Sequence, residues 1–196
     1  MRAEICGGRL SRAQVKGTES ILDGFCREGW SDPRWLAYML ATTHHETAAT
    51  MQPVRETLAL SDEEAVERLE RAWRSGRLPT VKTPYWRFDG EGKTWLGRGF
   101  VQLTHKGNYE RMSRVTGIDL VAAPERAMEL AVATRILLTG MREGSFTGRK
   151  LADHFDGSRA DWRGARRIIN GLDRADSIAE TARTFDRAIR AGLQDL

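Results

Sequence analysis

The chain lacks several features that would place it in a familiar class. It holds only two cysteines in 196 residues, Cys6 and Cys26, both near the N-terminus. Two cysteines make no disulfide framework, so reduced thiols are expected. No apolar run approaches the ~20 residues that span a bilayer, so no integral membrane segment is expected. The opening Met1-Arg2-Ala3-Glu4-Ile5-Cys6-Gly7-Gly8 has none of the apolar stretch of a secretory signal. That predicts a protein kept in the cytoplasm of the cell that makes it unless another system exports it. Charge of one sign does not dominate: 31 Lys and Arg face 27 Asp and Glu, a net of +4. This mild basicity suits anionic partners, whether cell-wall polymer, nucleic acid or membrane surface, without choosing among them.

Histidine is scarce too, at four residues. His44-His45-Glu46 has the look of a zinc motif, but the position four after His45 is Ala49, so the second helical ligand is missing. His105 and His154 are isolated in sequence, and no metal site is expected. Neither cysteine has the His and Asn pattern of a catalytic thiol. There is no internal repeat, low-complexity tract or linker, and one domain over residues 1–196 is expected.

What is present is helical periodicity in a chain that is 40% hydrophobic. Residues Ser11 to Glu28 read as a first helix, weakened by Gly17 and Gly24. Asp32 is a fitting N-cap and Pro33 a fitting first position for a second helix reaching Thr47. A third runs from Ser61 to Ser75, where Ser61 and Glu64 have capping-box spacing. Further helices are expected from His105 to Thr116, from Pro124 to about Gly144, near Arg149–Phe155, near Ala160–Ile169, and from Asp173 to Gly192. Between them, Tyr85–Phe88 and Lys93–Leu96 flank Asp89-Gly90-Glu91-Gly92 and predict a short β-hairpin. Its aromatics suit either a wall for stacking sugar rings or a satellite core under a long loop. The fold class expected is mostly α, with this one small ribbon.

Two carboxylates stand out. Trp35, Met39, Thr42 and Glu46 follow at steps of four, three and four, one stripe of a helix. Glu46 therefore shares the core-facing side, in the last turn, where burial and the helix dipole favour a protonated carboxyl. A general acid needs such a place; a helix-ending surface glutamate is the plainer reading. Glu56, ten residues on, falls in a proline-containing connection before the third helix. It reads either as a positioned acidic loop residue or as a surface charge paired with Arg55. In Val101-Gln102-Leu103-Thr104 one alternate set can pack while Gln102 and Thr104 face a cleft. The arginines at 159, 163, 166, 167, 174, 183, 187 and 190 are interleaved with acids and read as a solvated surface rather than a nucleic-acid patch.

Taken in order, several of these residues resemble glycoside hydrolase family 19. They are His45-Glu46-Thr47, Glu56, Gly97-Arg98-Gly99-Phe100-Val101-Gln102-Leu103-Thr104-His105, Asn108-Tyr109 and Ile168-Ile169-Asn170-Gly171, spanning about residues 35 to 172. That family includes plant-type chitinases and phage or prophage endolysins. The resemblance implies a lysozyme-like, two-lobed helical fold with the hairpin beside a cleft. It implies inverting cleavage of β-1,4-linked N-acetyl sugars, with no metal or other cofactor. By position Glu46 matches the general acid, Glu56 the general base and Thr104 the hydroxyl that helps hold the attacking water. Gln102 and Asn170 match sugar-binding positions, Trp95 a frequent aromatic, and His45, Asn108 and Tyr109 complete the expected substrate-binding set.

The chain also departs from the plant pattern. The interval between its glutamates is shorter, disulfides are not supported, and Leu96 stands where a second aromatic is usual. This tilts the expectation to the wall-lytic branch and leaves Glu67 as a reserve general base. The expected substrate is the N-acetylmuramic acid–N-acetylglucosamine backbone of peptidoglycan, with chitin-type polymer as the alternative. A non-catalytic glycan- or nucleic-acid-binding module is the alternative of another class. A monomer is expected, released to the wall by a phage holin or a secretion machine.

Overall fold

A computed structural model describes residues 8–194. Cys6 and the rest of the opening segment, on which the expectations about a leader and the first thiol fall, lie outside the described residues; Cys26 is exposed and unbridged. Among the described residues there are six α-helices: α1 (Arg12–Arg27), α2 (Pro33–Glu46), α3 (Asp62–Arg74), α4 (Lys106–Thr116), α5 (Leu130–Glu143) and α6 (Ala175–Gln194). Two antiparallel pairs of two-residue strands accompany them, β1 (Val54–Arg55) with β2 (Arg98–Gly99), and β3 (Phe155–Asp156) with β4 (Arg159–Ala160).

Helix α2 is the axis of the main core. It starts where the Asp32 carboxylate accepts from the Arg34 backbone N–H, with Pro33 preset to a helical φ. From Leu36 to Thr43 every residue is buried. A helix apolar all round must be covered all round, and α6, α1 and α5 supply the cover. Each fully buried Leu or Met side chain contributes roughly 1.5–3 kcal/mol, so this segment is a large share of the driving force. Gly17 and Gly24, unfavourable in a helix by propensity, are where α1 meets its neighbours. A Cβ at Gly17 would collide with the Met51 carbonyl, and one at Gly24 would lie 2.5 Å from Leu138 Cδ1.

A smaller hydrophobic cluster gathers on α3: Ala59, Ala65, Leu69, Trp86 and Leu96 are buried, with Trp73, Val81 and Tyr85 packed against them. It replaces the hairpin expected at 85–96. The Asp89 backbone N–H donates to the Lys93 carbonyl at 2.8 Å, but no ladder follows. The Asp89 carboxylate accepts from the N–H groups of Glu91 and Lys93 instead, a local turn that competes with strand pairing. Trp86 and Leu96 sink against α3 and Trp95 into the main core, whereas Tyr85 is half-buried and Phe88 exposed.

The other boundaries shift by their caps. Pro124 opens a 3₁₀ turn, Pro124–Met128, and an extended Glu129 separates it from α5. The helices expected near Arg149–Phe155 and Ala160–Ile169 are 3₁₀ turns at Leu151–Asp153 and Gly164–Ile168, with the β3–β4 hairpin between them. Among the described residues no helix is long and apolar enough to cross a membrane.

Candidate active site

The β1–β2 pair brings Glu56 to its partners. Val54 aligns with Gly99 and Arg55 with Arg98, and just past the ladder the Glu56 backbone N–H donates to the Gly97 carbonyl at 2.7 Å. Arg98 also bridges to Leu103, with N–H···O bonds of 3.3 and 3.0 Å in the two directions. The tight turn between them folds residues 102–104 back over Gly97, with Gln102 at a positive φ of 52°. The alternation expected from the sequence is present: Val101 and Leu103 are buried, Gln102 and Thr104 half-buried.

The convergence is centred on Gly97. A Cβ placed there would stand 2.8 Å from Gln102 Oε1, 3.3 Å from Glu56 Oε2 and 3.3 Å from Thr104 Cγ2. Both Glu56 oxygens are held: the Tyr85 hydroxyl donates to Oε1 at 2.6 Å and the Gly97 N–H to Oε2 at 2.8 Å. Gln102 Nε2 donates to the Val54 carbonyl at 2.9 Å, which turns its Oε1 toward Gly97. Burial, then the hydrogen bond to Glu56, push the Tyr85 phenol above its ordinary range. It is a proton donor to the carboxylate and stays one.

Beneath this corner lies a fully buried guanidinium. Arg98 donates to the Asp62 carboxylate through Nη2 at 2.5 Å and Nε at 3.3 Å, and its Nη1 reaches the Thr94 carbonyl and the Tyr109 hydroxyl. Arg55 pairs with Asp62 as well, at 2.7 Å, rather than with Glu56. Burial raises the Asp62 carboxyl, but bonds from Arg98 and Arg55 and their charges outweigh that and hold it below its usual range. Asp62 thus ties α3 to both strands.

Glu46 sits in the last turn of α2, its side chain 16% exposed. It does not end against apolar groups alone. Arg166 Nη1 donates to its Oε1 at 2.5 Å, and that arginine's side chain is 5% exposed. This corrects two expectations: the surroundings of Glu46 include a cation, and Arg166 does not belong to a solvated arginine surface. Arg163 fits that description better, paired to Asp176 at the surface, while Arg190 is exposed but reaches the half-buried Asp186. The Arg166 carbonyl accepts from the Asn170 N–H at 3.0 Å, so the Asn170 turn is continuous with the segment that grips Glu46. Asn170 is exposed, its side-chain oxygen accepting from the Gly171 N–H.

The remaining expected site residues divide. His45 is half-buried beside Glu46, and Asn108 donates to the Thr104 carbonyl at 2.8 Å. Tyr109 and Trp95 are corrections. Tyr109 is 0% exposed and Trp95 7%, their rings meet edge to face, and Lys106 Nζ lies over the Trp95 ring. Burial pushes the Tyr109 phenol up to about 12, and its hydroxyl donates to the Leu96 carbonyl. Both residues pack the site's floor rather than offering a face to a ligand. Glu67 stands apart from the Gly97 corner, 71% exposed and paired with Arg71 along a concavity on the outer face of α3.

Tyr85, Asp62 and Arg166 also hold the site, beyond the residues expected from sequence. Tyr85 carried the signal of an aromatic in a Gly-rich connection; the two ion pairs carried none, since any of many acids and arginines were available. Among the described residues no three His, Cys, Asp or Glu side chains are grouped to hold a metal ion. Chemically, the Gly97 corner sets a carboxylate and an amide oxygen side by side, with the Thr104 methyl group at its edge, an arrangement that can hold a small polar molecule. The Glu46 corner can present an oriented carboxyl group. No protein-family model matches the chain, and no curated protein matches it significantly.

Proposed function

We propose that the protein is a glycoside hydrolase that cuts the β-1,4 N-acetylmuramic acid–N-acetylglucosamine backbone of bacterial peptidoglycan with inversion. The observation that carries this reading is the convergence of Glu56, Gln102 and Thr104 on Gly97. A general base of an inverting hydrolase needs an ionised carboxylate with a second polar group beside it to hold water. Glu56 has two donors on its charged form, and the polar group beside it is Gln102 Oε1. Water held there loses a proton to Glu56 as its oxygen attacks the anomeric carbon.

Glu46 is the acid in this scheme. Arg166 takes Oε1, which leaves Oε2 to carry the proton to the departing glycosidic oxygen. A protonated carboxyl still accepts from the guanidinium through its carbonyl oxygen, so the pair orients the acid in either state. The two carboxyl groups of an inverting pair stand roughly 6.5–9.5 Å apart across the sugar. We place that sugar in a cleft between the main core and the α3 cluster, as the two lobes of a lysozyme-like fold. The two separate hydrophobic clusters support this division.

The test is hydrolysis of purified peptidoglycan beside colloidal chitin, with products read by mass spectrometry. Muropeptides with new reducing ends at N-acetylmuramic acid are expected. Chito-oligosaccharides alone would move the protein to chitin, and no product from folded protein would leave a glycan-binding module.

A further inference from the structure

Beside Glu56, on the far side of Tyr85, is a cavity of about 470 Å³ that the scheme above does not use. Its lining is Thr80, Val81, Lys82, Thr83, Tyr85 and His105. The set has a character: one ammonium, one imidazole, three hydroxyls and no carboxylate. Tyr85 is the shared wall, because the hydroxyl that binds Glu56 belongs to the ring that borders the cavity.

Thr80, Lys82, Thr83 and His105 are exposed, while Val81 and Tyr85 tie the lining to the α3 cluster. The Val81 carbonyl accepts from Trp73 Nε1 at 2.9 Å, and Val81 packs on the α3 cluster, so the backbone next to Lys82 is anchored. His105 holds a φ of 65°, a left-handed conformation that costs a non-glycine residue. Its imidazole lies against the Tyr85 ring at a centroid distance of 4.2 Å. Strain in a residue that also walls a polar cavity next to a candidate base points to recognition.

We infer that this cavity binds a carboxylate carried on the sugar next to the scissile bond, with Lys82 as its counter-charge and the threonine hydroxyls and His105 as further partners. This rests on the hydrolase reading and sharpens it. In wall glycan the carboxylate is that of the lactyl ether of muramic acid or of the peptide attached to it; chitin has none. Both Glu56 oxygens are turned to their own donors, Tyr85 and the Gly97 N–H, and Glu56 is not part of the cavity lining.

Three glycan preparations test the inference: intact strands, strands trimmed to the free lactyl carboxylate, and trimmed strands with that carboxylate reduced to an alcohol. Wild-type protein is expected to cut trimmed strands about tenfold faster than reduced ones, the size of one charge-assisted hydrogen bond. In Lys82→Glu, an exposed position, that ratio falls to about twofold or less, with Lys82→Gln between. Intact strands cut as trimmed ones are would place the peptide's carboxylates in the cavity as readily as the lactyl group. A ratio unchanged in Lys82→Glu, or no ratio in the wild type, overturns the inference alone. No cleavage of any strand by the wild type overturns the hydrolase reading and this inference with it.

Discussion

The two candidate carboxylates are held in opposite ways. Glu46 ends a buried helix and is gripped by a cation 120 positions away, Arg166. Glu56 lies in a loop and is gripped by neutral donors, a phenol and a backbone N–H, while the nearest cations, Arg55 and Arg98, are committed to Asp62. Charge was therefore kept off Glu56 even though two guanidinium groups stand in the same corner. An ion pair fixes orientation strongly and resists change. Neutral donors stabilise a carboxylate while leaving it able to take up a proton. In the proposed scheme the ion pair orients Glu46 as the acid and the neutral donors hold Glu56 as the base.

The largest effect is expected at Arg166. Arg166→Leu leaves Glu46 half-buried without its cation, and removing one partner of a buried pair costs about 3–5 kcal/mol. Urea unfolding should show a loss in that range, and a loss under about 1 kcal/mol would mean that the pair is a surface-like one.

Next in size is the acid response of the Glu56 corner. The Asp62 carboxyl is held below its usual range in the folded protein, so the unfolded chain binds its proton first as pH falls. Its contribution is full above about pH 4 and is lost as pH drops through the folded value. Unfolding curves should therefore be less steeply acid-sensitive below about pH 4 in Asp62→Asn than in the wild type. Equal steepness would show that Asp62 gains nothing from Arg98 and Arg55.

The smallest effect sharpens the contrast. Tyr85→Phe keeps the ring against His105 and removes one donor to Glu56. Activity should fall about tenfold, in kcat rather than KM, with stability changed by about 1 kcal/mol. A stability loss as large as that of Arg166→Leu would mean that the two carboxylates are held alike.

Much of the architecture was legible because it rests on local chemistry. Asp32 and Ser61 cap α2 and α3 as their sequence neighbours suggest, and Gly117 and Gly144 end α4 and α5 in left-handed conformations. The helix from Pro33 to Glu46 was legible, but not as a one-sided stripe, because Leu36 to Thr43 are buried on every face. The hairpin at 85–96 misled because its alternating aromatics answer to packing against α3, which no local pattern encodes. Glu56, Gln102 and Thr104 were legible as a set, but their meeting depends on a two-residue ladder between segments more than forty positions apart. Trp95 and Tyr109 show the converse error: aromatic rings in a motif were read as contacts when they are its foundation.

The most direct measurement is the activity of Glu46→Gln and Glu56→Gln on purified peptidoglycan, with circular dichroism confirming the fold of each. Loss of general acid or base catalysis should lower turnover by about 10²–10⁴-fold in both. Full activity in both folded variants would contradict the account at its centre.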